Sequence, residues 1–148
     1  MNTREKPYGP SPHGASWGDT PWEEAYQLPG SNQTGLGKKL LERYPWQKFE
    51  PHQDWIEARE EYEDASFLYA AGVPGQVRFF YFASPFYVWW KFPFVKKLES
   101  GVSYSGFWFD PKNGREYPLG LIEAVNGCWD VPQPGIFQDW VLVLEAQK

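Results

Sequence analysis

His13, Asp19, Glu23 and Glu24 lie near one another in the sequence, and their types suit proton transfer. An imidazole beside carboxylates can carry general acid/base chemistry near neutral pH. The same acids also suit the first turn of a helix, where the backbone dipole favours negative charge. Glycoside cleavage needs two carboxyl groups about 5 to 10 Å apart across a sugar, and no spacing among the 19 acidic residues singles out such a pair. The chain contains no Gly-rich phosphate loop, no nucleophile elbow and no His-Glu-x-x-His. Motifs therefore nominate no catalytic residue.

Metal and cofactor chemistry finds little support either. Cys128 is the single cysteine and His13 and His52 are the two histidines, too few for a zinc set, so no metal and no cofactor are expected. Cys128 reads as a buried, inert thiol. A net charge of -5 lacks the clustered Lys and Arg that phosphate backbones require, which excludes nucleic acid. Residues 1–12 are polar and Pro-rich without the apolar core of a signal peptide, and the apolar runs elsewhere are too short to span a bilayer. The sequence as it stands reads as a cytoplasmic chain with no membrane partner.

Aromatic residues make up 20% of the chain and include nine Trp, so any function must account for them. Trp and Tyr combine apolar area with a polar handle, which suits sugar-stacking platforms and protein interfaces. The densest cluster is Phe86, Tyr87, Trp89, Trp90, Phe92 and Phe94, between Pro85 and Pro93. Core or interface packing is its first reading and a saccharide platform its second.

Helical elements come first along the chain. Residues 1–20 form an irregular lead-in. Thr20-Pro21-Trp22-Glu23-Glu24 predicts a helix running to about Leu28, ended by Pro29-Gly30. Ser31 or Asn32 then caps a second helix, with Leu36, Leu40, Leu41 and Tyr44 on one stripe and Pro45 as its stop. Trp46 and Phe49 lie in an aromatic connector, and residues 54–64 read as an acidic solvated linker or short helix around Trp55 and Tyr62.

From Ser66 onward short β-rich runs alternate with Gly and Pro. Candidate strands are 67–70, 76–83, 86–90, 102–109, 115–121 and 139–145, with a turn over 71–75. The hairpin over 102–120 is the clearest. Tyr104 and Trp108 fall on one face and Phe107 and Phe109 on the other, while Asp110-Pro111 and Asn113-Gly114 reverse the chain. Large aromatics on both faces mean that both must be covered. Residues 140–144 are apolar on both faces and predict a central strand, and residues 126–135 predict a Pro-rich loop that presents Trp129.

Residues 22–30, 39–42 and 45–51 resemble the closing part of the catalytic barrel in apiosidase-like glycoside hydrolases, the DUF4038 group. Tyr69-Ala70-Ala71-Gly72, Phe107-Trp108-Phe109-Asp110-Pro111 with Gly114, and residues 139–144 resemble that group's C-terminal β-sandwich, which carries a collagen-binding label. The resemblance spans about residues 13–146. It implies a mainly β fold, an antiparallel β-sandwich over residues 65–148. A short irregular and helical segment over 1–64, resembling the end of a (β/α)₈ barrel, precedes it. A full barrel takes about 250 residues, so the family's catalytic carboxylates have no place here and none is carried over.

The function expected is a non-catalytic accessory sandwich that packs on a barrel-bearing polypeptide and shapes its saccharide site. Trp17, Trp22, Trp89 and Trp90 are the candidate ligand contacts, and His13, Asp19 and Glu23 the candidate rim acid/base groups. The alternatives are an independent carbohydrate-binding module and a chain that completes a glycoside hydrolase active site. A homo-oligomer and an oligosaccharide complete the set of expected partners.

Overall fold

The computed structural model describes residues 21–57, 68–83, 93–136 and 138–147. Among them, nine strands form two antiparallel sheets, preceded by two helices. The strands are β1 (Glu50–Pro51), β2 (Ile56–Glu57), β3 (Leu68–Val73), β4 (Val77–Phe82), β5 (Phe94–Val95), β6 (Tyr104–Phe109), β7 (Glu116–Leu121), β8 (Trp129–Asp130) and β9 (Trp140–Ala146). The larger sheet runs β1-β3-β4-β9-β6-β7 and the smaller β2-β5-β8. The mainly β architecture expected from the sequence is thus present. No helix among the described residues is long and apolar enough to cross a membrane.

β9 occupies the centre of the large sheet between β4 and β6, as its two-faced apolar sequence requires. Leu142, Val143 and Leu144 are fully buried. Alternation divides the aromatics between two cores. Phe80, Phe82, Tyr104, Trp108 and Trp140 point toward the small sheet and meet Trp55, Ile56, Val95 and Leu98. Trp108 stands edge-on to Trp140 and Phe82, with ring centroids 6.0 and 5.1 Å away. Phe79, Phe107, Phe109 and Val143 point the other way.

Helix α1 (Trp22–Ala25) precedes helix α2 (Pro29–Leu41), and α2 covers that second face. Leu40 of α2 is buried there, with Leu36, Tyr44 and Phe49 packed beside it. Tyr44 lies edge-on to Phe79 at 5.2 Å, and its hydroxyl donates to Glu145 at 2.7 Å. Pro29 opens α2 where the sequence predicted a stop. Proline lacks an N–H that the first helical residue has no use for, and its fixed φ already matches the helix. Leu28 occupies the N-cap position, and the Ser31 hydroxyl instead donates to the Ala25 carbonyl at 3.1 Å.

The β6–β7 turn follows its sequence closely. The Asp110 carboxylate accepts from the Lys112 amide and the Asn113 side chain, each at 2.8 Å, and Gly114 takes φ of 75°. The positive φ favours glycine there, and a Cβ at Gly114 would also sit 3.0 Å from the Leu36 side chain of α2. The β3–β4 turn is tighter than predicted. Only Pro74, Gly75 and Gln76 separate the paired strands, with Gly75 at φ 67° and the Gln76 amide bonded to the Val73 carbonyl, while β3 continues to Val73.

Three side chains depart from expectation. Trp55 is buried at 4% exposure, held in a 3₁₀ turn over Gln53–Trp55, rather than in a solvated linker. Its neighbours Asp54 and Glu57 face water, where they pair with Lys97 and Lys96, each at 2.6 Å. Trp129 is half-buried in β8 opposite Val95 instead of being presented by a loop. Cys128 is exposed, because Asn126 and Gly127 at positive φ form a two-residue turn that holds it at the surface. Residues 86–90, predicted as a strand, lie outside the described residues.

Arg78 is fully buried yet lies on the core face of β4. Its guanidinium stacks 4.0 Å over the Trp55 ring, donates to the carbonyls of Lys96 and Lys97, and pairs with Glu99 at 2.8 Å. Glu99 further accepts from the Tyr104 hydroxyl at 2.5 Å and the Gly75 amide at 3.0 Å. This knot ties β4, β6 and the β3–β4 turn to the 96–99 segment that leaves the small sheet. Burial alone would push the Glu99 carboxyl up, but the bonds from Tyr104 and Arg78 together outweigh it and hold the group below its usual range. A depressed folded-state value stabilises the fold above the unfolded value, about 4.3, and that stability is lost as pH falls through the folded value. Urea titrations between neutral and acid pH are expected to show this loss, and Glu99→Gln to flatten it.

Candidate functional site

α2 covers only part of the outer face of the large sheet. Beside it a groove of about 400 Å³ remains, walled by Gly37, Leu40 and Leu41 and floored by Ala71, Phe79, Val141 and Phe109. Pro51, Gln53 and Pro111 close its rim. That volume lies within the range of small-ligand sites, about 300–1,000 Å³.

Its most exposed aromatics are Tyr69 and Tyr81, at 55% and 37%. They are direct cross-strand partners on β3 and β4, with ring centroids 6.2 Å apart and ring planes 32° from each other. The Tyr81 hydroxyl donates to Asp139 at 2.6 Å, which fixes the ring. Burial, and then this bond to a carboxylate, push the Tyr81 phenol up to about 12. Gln53 is held in turn, its side-chain amide donating to the Leu68 carbonyl at 2.7 Å.

The described groove lining contains no Asp, Glu, His, Lys or Arg. Such a surface can stack, exclude water and offer neutral hydrogen-bonding groups. It supplies no acid and base to cleave a glycosidic bond. No group of three or more His, Cys, Asp or Glu among the described residues is placed to hold a metal ion.

Of the residues nominated from sequence, Glu23 is an exposed member of α1, and Trp22 contributes the first backbone unit of that helix. Glu23 does not line the groove. His13, Trp17, Asp19, Trp89 and Trp90 lie outside the described residues. Sequence reasoning missed Tyr69 and Tyr81, although the signal was present. Once the turn is Pro74-Gly75-Gln76, the two tyrosines are equidistant from it and share a face with Phe79.

The architecture is shared with solved glycoside hydrolases. One, described as a glycoside hydrolase, superposes with a TM-score of 0.69 and 22% identity over 93% of this chain and 30% of its own. A second, a glycoside hydrolase family 5 protein from Bacteroides vulgatus, gives 0.67 and 18% over 98% of this chain and 29% of its own. At such identities the likeness establishes the fold. The chain spans about 30% of the length of these proteins. No protein-family model and no curated protein matches it.

Proposed function

We propose that this chain is a non-catalytic accessory β-sandwich of a glycoside-hydrolase-like system, of the apiosidase-like kind, which packs on a barrel-bearing polypeptide and shapes its saccharide site. One observation carries the reading. Nearly all of this chain matches less than a third of each of two glycoside hydrolases, so in those proteins the same architecture accompanies a much longer polypeptide.

The helical layer supports it. Tyr26 and Leu28, between α1 and α2, are 61% and 48% exposed. A Cβ added at Gly30 or Gly35 would meet nothing within 4 Å, so the backbone of α2 is open to close approach there. Inside a helix each glycine costs about 1 kcal/mol relative to alanine, a cost that contact with a partner backbone would offset.

The test is dye binding by the purified chain, alone and co-expressed with a barrel polypeptide from the same genome that lacks its own closing helix and sandwich. Apolar-dye fluorescence from the chain alone, quenched in a stable one-to-one complex, is the expected result. A dye-silent monomer that forms no complex overturns the reading.

A further inference from the structure

We propose that the groove beside α2 is a binding site for a neutral saccharide chain, seated on the ring faces of Tyr69 and Tyr81. This rests on the reading of the chain as part of a saccharide-acting system and assigns it a contact surface of its own. Neither tyrosine belongs to the α1–α2 surface through which the partner would dock.

Three features select the ligand class. The described lining carries no charged residue, so phosphates and carboxylates have no counter-charge there. The groove opens to solvent over two exposed tyrosine rings, so its ligand needs one apolar face and polar edges that stay hydrated. A pyranose ring has that form, with C–H faces for the tyrosine rings and a hydroxyl perimeter that meets Gln53, the polar residue of the rim. The third feature is rigidity. Both tyrosines stand on paired strands, and Asp139 holds Tyr81 while the Leu68 carbonyl holds Gln53. A platform fixed before binding avoids the ordering cost of an immobilised side chain, about 0.5–1.5 kcal/mol each. Sugar hydroxyls then have the Gln53 amide oxygen and the Tyr69 phenol as partners at the rim.

The experiment is calorimetric titration of the full chain with neutral hexasaccharides of β-linked glucose, xylose and mannose, and with an oligogalacturonide as the charged control. Binding of at least one neutral chain and none of the control is expected. Tyr69→Ala, whose fold is checked by near-ultraviolet circular dichroism, should weaken that binding about fivefold or more, the scale of one lost aromatic contact. Gln53→Ala should weaken it less. A folded protein that binds none of the neutral chains overturns the proposal, as does binding indifferent to Tyr69→Ala. Self-association that depends on Tyr69 without any response to sugar also overturns it, by giving the groove to a second protein chain. Complex formation with a barrel polypeptide is read separately, so the accessory reading can stand where this one falls.

Discussion

Arg78→Met is expected to cost about 3–5 kcal/mol of stability, the scale for breaking a buried ion pair from one side. The guanidinium is fully buried, and its removal strands Glu99 together with the carbonyls of Lys96 and Lys97. Trp55 also loses the cation stacked on its ring, and with it part of the contact between the two sheets. Replacing both partners, Arg78→Met with Glu99→Leu, should recover much of the loss, because no charge is then left without a partner. Denaturant unfolding of the two variants measures the difference. Equal stability of Arg78→Met and the parent chain would mean that the knot does not hold the sheets together.

Leu40→Ala is expected to cost about 2–5 kcal/mol, the transfer of a buried side chain plus the cavity it leaves. Leu40 is 4% exposed and sits among Phe79, Phe107, Phe109 and Val143, so α2 shares a core with the large sheet. Tyr26→Ala, at 61% exposure between α1 and α2, should change stability by no more than about 0.5 kcal/mol. The pair separates the two roles of the layer. Leu40 secures it to the sandwich, and Tyr26 is free for a partner. A small Leu40 effect with unfolding of the helices ahead of the sheets would make the layer a detachable appendage.

How much of this was legible depended on the length of the local signal. The turn over Asp110–Gly114 was readable because its carboxylate, proline and Asn-Gly each impose a backbone geometry on their own. The split of Tyr104 and Trp108 from Phe107 and Phe109 followed from alternation along six residues, and the structure gives the second face to α2. The strands at 50–51, 56–57, 94–95 and 129–130 are two residues long and have no period to detect. Trp55 was hidden by its neighbours, since Asp54 and Glu57 made a core residue look solvated.

Arg78 shows a different limit. Its parity with Phe80 and Phe82 already puts a charge on the core face, but Glu99, which makes that placement tolerable, comes from a loop beyond another strand. Cys128 was misread although Asn126-Gly127 marks a tight turn, because the burial habit of cysteine outweighed the local turn chemistry. The tyrosine pair of the groove is not legible from aromatic content, because the turn over residues 74–76 decides which aromatics become neighbours.

Hydrolysis of aryl glycosides and oligosaccharides by the purified chain, before and after addition of its barrel-bearing partner, tests the accessory role most directly. The expected result is no turnover by the chain alone and turnover by the complex that exceeds the partner's own. Turnover by the chain alone, abolished by Glu23→Ala, would contradict it and make the chain itself the enzyme.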